Sequence, residues 1–189
     1  MSQSYLRQAL ENIECPRILV IGDLMLDHYS WGEVDRISPE APIPVMRVLR
    51  EDQRLGGAGN VVMNLVTLGA EVSVCGVTGK DETGEIINKL LAEIEVDRSG
   101  VIVSENHKSC LKHRMIAGQT HLLRMDIDPD PNTDLTQNQL IEYLQEKVPN
   151  CDAAIVSDYG KGLLSSSVLK ELASCGKKHG IPIIGDPKR

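Results

Sequence analysis

The 189 residues carry 41% hydrophobic and 25% charged side chains with a net charge of −7, the proportions of an ordinary globular domain with room for a sizeable core. No run of Lys and Arg forms a stripe, which excludes a nucleic-acid footprint. The acidic balance still allows a phosphorylated ligand, because a few placed cations and backbone N–H groups bind one locally. Cys15, Cys75, Cys110, Cys151 and Cys175 are odd in number and make no C-x-x-C pair. They read as reduced thiols of a cytoplasmic protein rather than as a disulfide framework or a zinc site. Residues 1–14 are polar, and no run of about 20 apolar residues occurs, so neither a signal peptide nor a membrane partner is expected.

In chain order, residues 5–13 suit a short amphipathic helix. The continuous apolar run Ile18-Leu19-Val20-Ile21 suits a buried parallel strand over 17–21, which Gly22 ends. Over 31–50, Pro39, Pro42 and Pro44 forbid a helix and favour extended, edge-like backbone. Gly56 and Gly57 precede a helix over 58–68, with Val61, Asn64, Leu65 and Leu68 at helical spacing and Gly69 as its stop. Residues 71–77 read as a second core strand. Residues 81–95 read as a helix with Ile86, Leu90, Leu91 and Ile94 on one face. Short strands are expected over 101–103, 109–116 and 121–126, then a turn cluster over 128–132. A helix over 135–148, a strand over 153–156, a helix over 165–179 and a strand over 181–184, finished by Gly185, complete the pattern. This alternation predicts an α/β fold with a mainly parallel sheet. Ligands of such sheets sit outside the carboxyl ends of strands, which puts Asp186, Pro187 and Lys188 at a site position.

Three stretches carry candidate chemistry. Asp23 and Asp27 follow the first strand, where carboxylates accept charge-assisted hydrogen bonds from the hydroxyls of a polyol. Taken alone, a turn-capping Asp23 and a solvated Asp27 is the simpler reading. Gly56-Gly57-Ala58-Gly59-Asn60 opens a helix, where glycines let backbone N–H groups approach a ligand and Asn60 offers a donor and an acceptor. A tight turn explains the same glycines equally well. The dinucleotide fingerprint is missing, because Val62 stands at its third glycine. Ser157-Asp158-Tyr159-Gly160-Lys161-Gly162 leaves Lys161 room to reach a phosphate, against an equally balanced alternative of a surface loop with a helix-capping Ser. The five histidines, His28, His107, His113, His121 and His179, show no metal-ligand spacing and are expected in surface or packing roles. No nucleophile elbow or P-loop is present.

In order, Gly22-Asp23 with Asp27, the Arg36-Ile37-Ser38-Pro39-Glu40-Ala41-Pro42-Ile43-Pro44 stretch, the Gly56–Asn60 segment, Leu123-Arg124-Met125-Asp126, Ser157–Gly162 and Asp186-Pro187-Lys188 resemble the PfkB sugar kinases. The 36–44 stretch is similar to the heptose 7-phosphate kinase branch, including the kinase half of bifunctional heptose kinase/adenylyltransferases. The resemblance runs from about residue 17 to the end of the chain. It implies the N-terminal part of one ribokinase-like, three-layer α/β kinase domain, with a small β lid from 31–50 and 109–126. It implies ATP-dependent phosphorylation, with Mg²⁺, of a sugar phosphate. The substrate of that branch is D-glycero-β-D-manno-heptose 7-phosphate, phosphorylated at its anomeric hydroxyl. A homodimer is implied for the complete enzyme.

By the same resemblance Asp23, Asp27, Gly56, Gly57, Asn60 and Asp158 contact the sugar. Lys161 and Lys188 lie near its phosphate-bearing end. From their charge and their place on the lid, Arg114 and Arg124 are expected to reach the phosphate. The family's N-x-x-E and D-T-x-G-A-G-D elements do not occur in the 189 residues, and Arg189 stands where relatives often have Gly. The catalytic Asp is therefore expected beyond residue 189, and the chain alone is expected to turn over little substrate and to associate through an apolar edge strand at 181–184. A sugar-phosphate-binding module without catalysis, and an unrelated α/β enzyme such as a dehydrogenase, are the alternatives.

Overall fold

The computed structural model describes residues 15–130 and 137–187. The helix expected over 5–13, the end of the turn cluster, the start of the helix expected from 135, and Lys188 lie outside the described residues. In chain order the elements are β1 (Arg17–Gly22), β2 (Leu24–Ile37), β3 (Pro44–Gly57), α1 (Ala58–Thr67), β4 (Glu71–Gly79), α2 (Glu82–Glu93) and β5 (Asp97–Ser104). They continue as β6 (Cys110–Ala117), β7 (Thr120–Ile127), α3 (Gln137–Lys147) with a 3₁₀ turn at Val148–Asn150, β8 (Ala153–Asp158), α4 (Ser166–His179) and β9 (Ile183–Pro187).

Five strands form a parallel sheet in the order β5-β4-β1-β8-β9. Its central strand shows why the apolar run of β1 is continuous. Ile18 and Val20 enter one cluster with Ala58 and Val62 of α1 and Ile87 and Leu91 of α2. Leu19 and Ile21 point the other way, into a cluster with Leu140 and Leu144 of α3 and Val168 and Leu172 of α4. A strand covered on both faces must be apolar at every position. Each fully buried Leu or Ile contributes about 1.5–3 kcal/mol of transfer free energy. Helix starts follow local chemistry: Asp81 caps α2 by accepting from Gly84 N at 2.7 Å, and Ser165 caps α4 by accepting from Val168 N at 3.4 Å. The result is the expected ribokinase-like α/β arrangement, helices on both faces of a parallel sheet.

A second sheet, in the order β3-β2-β6-β7, rises beside the first. Its strands span 24–57 and 110–127, so it starts seven residues earlier than the extended segment expected from 31. The reason is the corner at Asp23. The chain leaves the parallel sheet at Gly22 and enters β2 after a single residue. Leu24 and Leu26 still belong to the main core. Pro39 and Pro42 lie in the connection at the β2–β3 tip, and Pro44 begins β3, positions where a missing N–H is tolerated.

Two further expectations are corrected. Ser157 is a buried residue of β8, not a helix cap. The last strand does not finish at Gly185; it runs to Pro187, with Asp186 opposite Ser157 at the edge of the sheet. Ile184 on that edge strand is 57% exposed. Among the described residues no helix is long and apolar enough to cross a membrane.

Candidate functional site

From β1 the chain steps to β4 and β5 on one side and later to β8 and β9 on the other. That reversal of direction leaves a crevice at the carboxyl ends of β1 and β8, the usual ligand position in such sheets. The second sheet stands over it. Between them lies a cavity of about 520 Å³.

The corner beneath the cavity depends on close backbone approach. A Cβ at Gly22 would collide with the Ser157 carbonyl, and one at Gly57 with the Asp23 carbonyl. Gly57 also has φ 55°, where side chains are disfavoured. It turns β3 directly into α1, and Ala58 N donates to Asp23 O at 3.0 Å. The Asp23 carboxylate is 5% exposed and accepts from Tyr159 N at 2.8 Å and Lys161 N at 3.2 Å. Burial pushes its pKa up, against the pull of these two donors. Asp23 therefore fastens the loop after β8 to the corner and does not line the cavity. The expectation that it shares one cleft with Asp27 and Asn60 is corrected on this point.

Asp27 of β2, Gly57 at the end of β3 and Asn60 in the first turn of α1 do line the cavity together. Asp27 Oδ1 accepts from an Arg114 guanidinium nitrogen at 2.5 Å. A Cβ at Gly56 would stand 2.5 Å from Asp27 Oδ2, so glycine here leaves that oxygen uncovered. Arg114 also sits 5.0 Å from the centre of the Tyr29 ring, and Arg54 5.6 Å from it on the opposing strand. Burial lowers the Arg114 pKa, but its partner Asp27 outweighs that and leaves it raised, so the guanidinium stays charged.

The same face continues with Lys112, whose Nζ is 3.6 Å from Asp126 Oδ2. Arg124 binds Asp126 through two nitrogens at 2.9 and 3.1 Å; it stands opposite Arg114 in the sheet and outside the cavity lining. Partial burial opposes ionisation of Asp126, but Arg124 and Lys112 prevail and hold its pKa below the usual carboxylate value.

The remaining candidates lie elsewhere. Lys161 Nζ is 2.5 Å from Asp128 Oδ1, in a separate crevice beside Cys110 and Asp23. Asp158 accepts from Gly160 N at 2.8 Å and shapes its own turn. Lys188 lies outside the described residues. Sequence reasoning overlooked Tyr29, Arg54, Lys112 and Tyr159 as lining residues. Strand alternation was the available signal: Asp27 and Tyr29 are two apart on β2, as are Lys112 and Arg114 on β6. Ending the first strand at Gly22 and starting the next extended segment at 31 left the alternation of β2 unread.

The described residues form no Mg²⁺ site at this cavity. Asp27 is paired with Arg114, and the one three-residue cluster of metal donors found among them contains two imidazoles on the other face of the sheet. Mg²⁺ prefers oxygen ligands.

Comparison with known proteins agrees with this architecture. The family model described as pfkB family carbohydrate kinase matches residues 16–189. The Bifunctional protein HldE of Desulfatibacillum aliphaticivorans is 44% identical over 173 residues, covering 91% of this chain and 35% of that protein. That of Trichlorobacter lovleyi is 41% identical over 189 residues, covering 100% of this chain and 38% of that protein. The chain thus spans somewhat over a third of the length of these relatives. Among solved structures, a putative phosphofructokinase from Staphylococcus aureus superposes with a TM-score of 0.72 at 17% identity, over 92% of this chain and 53% of that one. Arabidopsis thaliana ribokinase complexed with ribose and ATP gives 0.66 at 17% identity, over 92% and 54%. The fold, the corner glycines and the match over nearly the whole chain together place this protein in the pfkB family of carbohydrate kinases.

Proposed function

We propose that this chain supplies the sugar-binding part of an ATP-dependent kinase acting on a sugar phosphate, D-glycero-β-D-manno-heptose 7-phosphate, at its anomeric hydroxyl. The observation that carries the reading is the content of one cavity: Asp27 and Asn60 at its base, with Arg54, Lys112 and Arg114 on its wall. A phosphorylated sugar needs both kinds of group, acceptors for hydroxyls and cations for phosphate.

In this reading Arg114 holds Asp27 oriented, and the open oxygen of Asp27 accepts from sugar hydroxyls. Asn60 both donates and accepts. Lys112 and Arg54 neutralise the phosphate, and the four-stranded sheet covers the sugar as a lid formed by 24–57 and 110–127. PfkB kinases use ATP, and Mg²⁺ accompanies it by family. D-T-x-G-A-G-D and N-x-x-E are absent from the 189 residues, so the proposal for this chain concerns binding, and transfer is expected of a chain that carries those elements. The similarity to the heptose kinase branch at 36–44 supports the choice of heptose.

Calorimetric titration of heptose 7-phosphate into the wild-type and Asp27→Ala chains tests the assignment. Loss of a charge-assisted hydrogen bond, ~1.5–3 kcal/mol, corresponds to affinity weakened by about 10-fold to 150-fold. Unchanged affinity in Asp27→Ala removes Asp27 from the site.

A further inference from the structure

Behind the cavity wall, on the face of the four-stranded sheet opposite Asp27, alternation gathers His28 and Ser30 of β2, Glu51 of β3 and His113 of β6. His28 and His113 are cross-strand partners with rings stacked at 4.2 Å between centroids. Buried Ser30 donates to Glu51 Oε1 at 2.8 Å, and its Oγ lies 2.7 Å from His113 Nε2. His28 Nε2 is 3.2 Å from the same Glu51 oxygen, yet it is buried and makes no hydrogen bond. The ligand atoms of His28, Glu51 and His113 all lie within 4.8 Å of one another. Among the described residues no Lys or Arg pairs with Glu51, so one carboxylate faces two imidazole nitrogens with no cation between them.

We propose that His28, Glu51 and His113 form a binding site for a divalent transition-metal ion, zinc in preference to magnesium. Two imidazoles and one carboxylate suit zinc, whereas Mg²⁺ and Ca²⁺ favour all-oxygen sets. Zinc bonds of about 2.0–2.2 Å put tetrahedral ligand atoms roughly 3.3 Å apart. With the ligand atoms within 4.8 Å of one another and His28 Nε2 already 3.2 Å from Glu51, the remaining gaps close by at most about 1.5 Å as the rings tilt out of their stack, and Glu51, with its side chain 55% exposed, is free to supply much of that motion. Each neutral imidazole coordinates through Nε2 with its proton on Nδ1, so His113 gives up any hydrogen bond it donates to Ser30. Water completes the fourth position. The three ligands come from three adjacent strands, so the ion clips β3, β2 and β6 together directly behind Arg54, Asp27 and Arg114.

The test uses the full 189-residue chain, without a histidine tag, and Co²⁺ and Zn²⁺ as probes. One cobalt per chain is expected, with the visible absorption of a tetrahedral site, and zinc should displace it stoichiometrically and raise the melting temperature. His28→Ala and His113→Ala should each weaken zinc binding at least about 100-fold; Glu51→Gln, which keeps shape at an exposed position, should weaken it about 10-fold or more. His121→Ala, an exposed histidine elsewhere on the sheet, should change nothing. If the first two variants do not fold, Glu51→Gln against His121→Ala decides alone. The proposal is overturned by absence of the cobalt spectrum, by zinc affinity unchanged in Glu51→Gln, or by equal loss in His121→Ala.

Discussion

In the five-stranded sheet, neighbouring residues such as Leu19 and Val20 both disappear into helix-covered cores. In the four-stranded sheet, alternate residues live in different worlds: Asp27, Tyr29, Lys112 and Arg114 face the cavity, while His28, Ser30, Glu51 and His113 face away from it. Leu123 and Met125 on that outer face are 57% and 42% exposed. The first sheet is built for stability, the second for charged contacts held in register by strand pairing. The boundary between them is a few residues long. Asp23, on one side, is buried and satisfies backbone donors; Asp27, on the other, keeps one oxygen open to the cavity. The same side chain holds the fold together in one place and lines an open cavity in the other because burial differs.

The contrast is broken most readily by truncation. Leu19→Ala should cost about 2–5 kcal/mol of unfolding free energy, the usual loss for a buried Leu. Leu123→Ala should stay within about 0.5 kcal/mol, as exposed positions do. Equal losses in urea titrations would show that the second sheet is as tightly packed as the first.

The two aspartates sharpen it. Asp23→Ala strands the Tyr159 and Lys161 N–H groups and should cost about 1–3 kcal/mol. Asp27→Ala removes a partly exposed ion pair and should cost under about 1 kcal/mol, with its main effect on sugar-phosphate affinity. A larger stability loss in Asp27→Ala than in Asp23→Ala would reverse the assignment of the two roles.

The smallest effect concerns acid. Burial raises Asp97, but hydrogen bonds from Lys147 and Ser99 prevail and hold its pKa at about 2, below the ordinary 3.8. A depressed carboxylate contributes stability above its unfolded pKa and loses it as pH falls through the folded one. The contribution should therefore fade between pH 3.8 and about 2. Because the Asp97 side chain is 36% exposed, screening limits it to about 1 kcal/mol or less. Asp97→Asn should flatten this part of the stability–pH curve, and an unaltered curve would show that Lys147 does not govern Asp97.

Much of this was legible in the sequence. The apolar run of β1, the prolines over 31–50 and the glycines before α1 each state a local rule that the fold obeys. The corner at Asp23 was not legible, because a one-residue break between two strands carries no turn signature of its own. The partners of Asp27 were hidden for another reason. Arg114 comes from β6, and its closeness to Asp27 depends on parallel pairing between strands far apart in the chain. His28 and His113 were passed over on the same ground, since local spacing reports ligands along one helix or loop and not across a sheet. Lys161 looked free between its glycines, but Asp128, from a turn beyond β7, holds it.

The claim on which the account rests is that one cavity recognises both the hydroxyls and the phosphate of its ligand. It is tested most directly by titrating heptose 7-phosphate and the unphosphorylated heptose, side by side, into the wild-type and Lys112→Ala chains. The account predicts at least about tenfold tighter binding of the phosphorylated sugar, a charge-assisted contribution of ~1.4 kcal/mol or more, and a narrower gap in Lys112→Ala. Equal affinity of the wild-type chain for the two sugars would contradict it.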